Sequence, residues 1–194
     1  MKTIYERLDK IIDTITNPNF MEHKGLGNDI GFYVFDYDPN HELLVRDRVN
    51  YIKEKVNSLY GLKIVEFDLY EIIIEHLKEK GYLERNFEME ERKGSEYVLL
   101  KATKKTLRIT NNDDIFINYI KERLDDCDIV FLTGVGKAWP IIRSHTILNN
   151  LHSVVEKQPL VMFFPGTYDG GELRLFNIFK DDNYYRAFEL VNKY

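Results

Sequence analysis

The chain has 194 residues, 44% of them apolar and 13% aromatic, enough for one globular domain whose core needs no disulfide or metal. Charged residues make up 30% but the net charge is only −5, which argues against a dedicated DNA- or RNA-binding module, although a local basic groove stays compatible. The single cysteine, Cys127, excludes an intramolecular disulfide and a cysteine-built zinc cage, and no apolar run or signal peptide points away from a cytoplasmic protein.

In chain order, Ile4, Leu8, Ile11, Ile12 and Ile15 predict an amphipathic helix over 3–16, stopped by Asn17-Pro18-Asn19. A polar, glycine-containing loop follows to about Ile30. The nearly continuous apolar run 31–38, GFYVFDYD, reads as a strand covered on both faces, as in a parallel sheet. Asp38 caps the next helix, with Pro39 at its first position, and that helix runs to about Leu59 and closes at Gly61. A second strand, LKIVEFD, ends at Asp68, which forms a capping-box pattern with Glu71 for a helix closing at Gly81.

Residues 84–96 are mostly charged, and 97–109 space Val98, Leu99, Ala102 and Leu107 as a helix. The segment 82–111 therefore reads as a helical insertion in a single domain, 1–194. Asn112 and Asp113 are candidate caps for a helix over 114–124. A third strand, DIVFLTG, precedes a helix starting at Pro140; PLVMFFPG is a fourth strand and ELRLFNIF a fifth. The tail NYYRAFELV reads as a short helix. Alternating strands and helices predict a three-layer α/β domain with a mostly parallel sheet, of P-loop or Rossmann-like topology but without a Walker A loop.

Ligands in such a sheet bind beyond the carboxyl ends of the strands. That edge gathers Asp36, Asp38 and Asp68, the loop Thr133 to Lys137, and Pro165, Gly166, Tyr168 and Asp169. The loop fails as a Walker A motif, because Phe131 stands five positions before Gly136 and Ala138 follows Lys137 where a Mg²⁺-binding hydroxyl belongs. A dinucleotide fingerprint fails too, with Trp139 at its third glycine. Two readings stay open for it. Gly134, Gly136, Lys137 and Arg143 could hold an anion at a helix start, or the loop is a tight turn with a solvated lysine.

Asp36, Asp38, Asp68 and Asp169 could line a Mg²⁺ site, although two of them are already explained as caps. His145 and His152 are seven apart, two helical turns, too far for an i, i+4 ligand pair. Cys127 sits among aspartates that raise its pKa, so it does not read as a nucleophile. No catalytic set, cofactor site or metal site is recognisable, which favours a non-enzyme. What remains is surface: the segments around Tyr168, Tyr184, Tyr185 and Arg186 cluster tyrosine, arginine, glycine and proline, the composition interfaces favour, or they form a turn between core strands with Tyr168, Tyr184 and Tyr185 half buried. Tyr168 and Arg186 are then candidate contacts whose replacement leaves the fold intact.

The segments FYVFDYDP, FLTGVGKAWPIIRSHTILNNL, PLVMFFPGTYDGGELRLF and NYYRAF together resemble the BrxB family of BREX bacteriophage-exclusion systems, over essentially the whole chain. The resemblance implies a core component of a multi-gene defence island that marks host DNA by methylation and blocks phage replication. Its neighbours there are a methyltransferase, a BrxC-like ATPase and a PglZ-like subunit of alkaline-phosphatase type. It supplies no catalytic residues to carry over. Two functions follow as expectations. One is a non-enzymatic adaptor that binds other BREX proteins, the PglZ-like subunit first, touching DNA only indirectly. The other is a degenerate nucleotide- or nucleic-acid-binding domain using Gly134 to Arg143 and the acids of the first strand.

Overall fold

A computed structural model describes residues 2–21, 31–108, 114–124, 126–151, 154–155, 157–181 and 187–194, and only the backbone of 144, 145 and 181. Helix α1 (Ile4–Ile15) starts at a complete capping box. The Thr3 side chain accepts from the Glu6 amide, and the Glu6 carboxylate accepts from the Thr3 amide and hydroxyl, which holds that carboxyl below its usual range. After the short α2 (Pro18–Met21) come β1 (Phe32–Tyr37), a 3₁₀ turn (Pro39–His41) and α3 (Glu42–Tyr60), which ends on Gly61 at φ 67°. Strand β2 (Ile64–Asp68) feeds α4 (Leu69–Glu79), capped by Asp68 through the amides of Tyr70 and Glu71.

The charged stretch is helical throughout: α5 (Leu83–Lys93), α6 (Ser95–Tyr97), a π-helical segment (Val98–Thr103) and α7 (Lys104–Leu107). Helix α8 (Ile115–Lys121) is capped by Asp114, whereas Asn112 and Asp113 lie outside the described residues. Then follow β3 (Ile129–Thr133), α9 (Val135–Ala138), α10 (Ser144–Leu151), β4 (Leu160–Tyr168), β5 (Leu173–Leu175), β6 (Phe179–Asp181) and β7 (Phe188–Glu189).

Among the described residues the sheet has seven strands. Its main path is β2-β3-β4-β1-β7, parallel at every pairing, and β5 and β6 extend β4 as an antiparallel hairpin. Strands β3 and β4 alternate between two cores. Ile129, Phe131, Val161 and Phe163 face α1 and α3, while Val130, Leu132, Leu160, Met162 and Phe164 face α4, α8, α9 and α10. The crossover from β1 outward to β2 runs over the first face through α3. The steps back to β3 and β4 run over the second, as right-handed connections require. The fold is thus the expected three-layer α/β arrangement. The loop after β1, where a P-loop protein carries its glycines, is instead Asp38 capping the amide of Asn40.

Three expectations for individual elements are corrected. The tail is not a helix over its described part: Phe188 and Glu189 form an edge strand against Tyr33 and Val34, and Leu190 and Val191 enter the α1/α3 core. Pairing with the open edge of β1 outweighs the local helical pattern, and residues 182–186 lie outside the described residues. The fifth strand is two strands, because Phe176 and Asn177 both take positive φ, 54° and 62°, and the Ile178 amide closes on the Leu175 carbonyl at 3.0 Å, as in a type I′ turn. No helix starts at Pro140. One helical turn starts directly after Gly134, Trp139 is pushed extended (φ −70°, ψ 139°) as residues before proline are, and the next helix begins at Ser144.

The two ends of the chain meet at Asp36, which is 3% exposed. Arg7 donates to its carbonyl at 2.7 Å and to Oδ1 at 2.8 Å, Lys193 lies 2.5 Å from Oδ2, and the Tyr168 amide donates to Oδ2 at 2.9 Å. Lys193 also donates to the Tyr168 carbonyl at 2.6 Å, and the Tyr168 hydroxyl to the Ala187 carbonyl at 2.7 Å. Removing one partner from a buried charge cluster costs about 3–5 kcal/mol. Asp36→Ala should therefore lower the melting temperature by roughly 6–20 °C, read by circular dichroism. Tyr168→Phe, which removes the donor to the half-buried Ala187 carbonyl, should cost about 1 kcal/mol in urea denaturation.

Candidate functional site

The carboxyl edge of the sheet is built from the ends of β1 to β4, and each acid there has a structural task. Asp36 sits one turn of the pleat below the rim, inside the Arg7–Lys193 cluster. Asp38 caps the 3₁₀ turn through the Asn40 amide and side chain. Asp68 divides its carboxylate: Oδ1 accepts from the Tyr70 and Glu71 amides, and Oδ2 meets Lys137 Nζ at 2.6 Å. Asp169 accepts from the Gly171 and Glu172 amides, which pull its carboxyl below the usual range. Among the described residues no group of three or more metal-ligating side chains converges.

The glycine loop is a packing device. Gly134 takes φ 71°, and a Cβ there would stand 2.1 Å from Asp68 Oδ1. Gly136 lies under the Phe176 ring and Pro165, both 3.0 Å from where its Cβ would be. Lys137 is held by Asp68, approaches Glu71 at 3.6 Å and lies 5.3 Å from the Tyr70 ring centroid. The helix behind it, α9, is a single turn, so little dipole stands behind the amides of 134–138. Arg143 is exposed in the turn before α10, and the side chain of His145, like His152, lies outside the described residues.

Beside this loop, on the α3 face, lies a cleft of about 170 Å³ lined by Tyr37, Glu42, Arg46, Glu66, Asp68 and Thr133. Its charges are matched internally. The Tyr37 hydroxyl donates to Glu42 at 2.6 Å, Arg46 Nε to the other Glu42 oxygen at 2.8 Å, Thr133 to Glu66 at 2.6 Å, and Lys53 pairs with Glu66. Burial first, and the Glu42 carboxylate second, push the Tyr37 phenol far above its usual range, so it stays a neutral donor. Cys127 likewise is raised, by burial and then by Asp128, which keeps it a thiol.

The other candidate residues divide sharply. Pro165 pairs with Tyr37, and Gly166 lets β4 approach Arg174, whose carbonyl would lie 2.1 Å from a Cβ. Tyr168 is wholly enclosed, so it supports the surface from beneath and its replacement acts on the fold. Tyr184, Tyr185 and Arg186 fall outside the described residues. The exposed aromatic surface is instead made by the β5–β6 hairpin. Phe179 stacks on Trp139 at 4.4 Å between centroids, Phe176 meets the same indole edge-on at 6.3 Å, and Ile178 at the tip is 73% exposed. Phe176 sits in the left-handed region, rare for a bulky side chain. The signal in the sequence was Asn177, a residue suited to a I′ turn, but without the glycine that usually follows.

Gly134 and Gly81 share a left-handed backbone, at φ 71° and 64°, but a Cβ on Gly81 meets nothing within 4 Å. Gly81→Ala should cost only the backbone strain, about 1–2 kcal/mol. Gly134→Ala adds displacement of the Asp68 carboxylate, which caps α4, and should cost about 1–2 kcal/mol more in urea denaturation.

Comparison with known proteins accords with this geometry, since the matched region contains β3, the glycine loop, β4 and the hairpin. The family profile described as BREX protein BrxB matches residues 65–190. A protein of Bacillus cereus (strain H3081.97) named BREX protein BrxB is 60% identical over 193 residues, covering 100% of both chains. One of the same name from Escherichia coli O9:H4 (strain HS) is 36% identical over 187 residues, covering 95% of this chain and 90% of its own. No solved structure matches the chain. With a full-length relative at this identity and a profile spanning most of the sheet, the chain belongs to the BrxB family.

Proposed function

We propose that the protein is a non-enzymatic adaptor subunit of a BREX anti-phage assembly, which docks a partner BREX protein, the PglZ-like subunit first, through the aromatic hairpin. BrxB proteins are BREX components, and this is the coarse role on which the reading builds. The observation that carries the finer reading is the Trp139, Phe176, Ile178 and Phe179 surface. It combines exposed large apolar side chains with a bulky residue held at positive φ, a strain that persists where surrounding structure enforces it and that clusters at functional sites. Aromatic anchors of this kind dominate binding energy at interfaces. Glu172, Arg174 and Lys180 form a charged rim beside it, with Arg174 and Lys180 both bridged to Glu172.

The carboxyl edge favours the same reading over a nucleotide site there. Its cleft is smaller than the roughly 300–1,000 Å³ of typical small-molecule pockets, and its lysine, tyrosine and acids are bonded to one another. No helix among the described residues is long and apolar enough to cross a membrane.

Co-expression with the tagged PglZ-like protein, followed by size-exclusion chromatography with light scattering, should give stoichiometric co-elution. Ile178→Asp should weaken that complex by about 30-fold or more, as a hot-spot loss of ~2 kcal/mol predicts, with an unchanged melting temperature, and Phe179→Glu should weaken it as much while also losing the Trp139 stacking. Elution of the wild type alone, or variants that co-elute as well as the wild type, would remove this surface and this partner from consideration.

A further inference from the structure

A larger groove remains outside that reading. It lies between the end of α4, the π-helical segment with α7, and α8, has a volume of about 720 Å³, and is lined by His76, Lys80, Tyr82, Lys105, Arg108 and Tyr119 among others. Glu79 and Glu122 line it as well. The size suits a ligand of nucleotide dimensions.

Three features converge on it. Residues 98–108 carry four cations, Lys101, Lys104, Lys105 and Arg108, and no carboxylate, in a chain whose net charge is −5. Of these, Lys105 and Arg108 line the groove together with Lys80, so three cations face it against the two carboxylates of Glu79 and Glu122. The 98–108 segment is π-wound over Val98–Thr103, and it ends on Arg108 at φ 49°, a left-handed conformation imposed on a non-glycine residue. The local field is also felt by His76. Burial and then the cations Lys80 and Arg108 lower its pKa, against the opposing effect of Glu79, so the ring is neutral near pH 7 and can donate or accept a hydrogen bond.

We infer that this groove binds a phosphate-bearing nucleotide unit, with Lys80, Lys105 and Arg108 on the phosphoryl group and Tyr82 and Tyr119 beside the planar base. The Tyr119 ring is held in place on one side by the Arg123 guanidinium, 3.7 Å from its centroid, and by its hydroxyl bond to Glu75 at 2.8 Å. A fixed tyrosine near clustered cations is the combination that single-stranded nucleic acids use for stacking and backbone tracking. The same chemistry comes from a free nucleotide or from a nucleotide within a strand.

The experiment uses the whole chain without partners, so its outcome is independent of the docking surface. Fluorescence anisotropy with a labelled oligothymidylate of about twelve nucleotides, and titration with ADP as competitor, distinguish the two sources. Binding of the oligonucleotide that weakens at least tenfold between roughly 50 and 200 mM salt, and that ADP does not displace, assigns a strand. Displacement by ADP, with its own binding seen by calorimetry, assigns a free nucleotide. The double substitution Lys80→Glu, Lys105→Glu should weaken either ligand at least tenfold. Arg108→Gly should weaken binding while leaving the melting temperature unchanged or raised, since the strained residue is replaced by one that tolerates positive φ. Lys55→Glu on α3, outside the groove, should leave binding unchanged. No wild-type binding of either probe up to about 1 mM, or equal loss in Lys55→Glu, overturns the inference.

Discussion

The domain is organised around one buried carboxylate. Asp36 lies in β1, between β4 and the short β7, and at 3% exposure its carboxylate needs partners inside the fold. Arg7 comes from the first helix and Lys193 from the last residues, while the Tyr168 amide comes from the far end of β4. A single residue thereby fixes three segments that are distant in sequence. The Lys2 amide, bonded to the Lys193 carbonyl at 2.8 Å, closes the same seam. Replacing such a cluster by apolar groups is often neutral, so its role is better seen as registry: it permits only one way of laying α1 and the tail against β1.

That registry propagates to the surface. Strand β4 runs past the end of β1 because its continuation, Gly166 to Tyr168, pairs with β5, and Tyr168 is locked from both sides by Asp36 and Ala187. The hairpin that carries Phe176, Ile178 and Phe179 is thus an extension of the central strand. Its strained turn is supported from below by Gly136, where a side chain would collide with the Phe176 ring. The glycine loop, whose lysine and glycines suggest phosphate binding, serves in this fold as the seat of the aromatic hairpin and, through Gly134 and Lys137, as the clamp on Asp68.

The elements legible in the sequence are those decided by local physics. The both-faces-apolar run of β1, the apolar stripe of α1, the Asp68 cap and the glycine closures at Gly61 and Gly81 all depend on near neighbours, and each stands where the pattern puts it. The misread elements depend on distant ones. Phe188 and Glu189 become a strand only because β1 offers an open edge, and the type I′ turn at Phe176-Asn177 exists only because β4 extends far enough to template it. The role of Asp36 was likewise hidden: its partners are 29 and 157 positions away, and nothing near it in sequence distinguishes it from an acid at a site.

The same division bears on where binding chemistry resides. At the carboxyl edge the polar groups are mutually satisfied: Glu42 takes Tyr37 and Arg46, Glu66 takes Thr133 and Lys53, and Asp68 takes Lys137 and the α4 amides. A ligand would have to displace bonds already made, and the net gain from such an exchange is small. The hairpin and the α7 groove differ: one carries the exposed Ile178 and Phe179 beside a phenylalanine at positive φ, the other three lining cations and an arginine at positive φ. A fold that tolerates strain only where its surroundings enforce it directs attention to these two surfaces rather than to the loop whose sequence most resembles a phosphate grip.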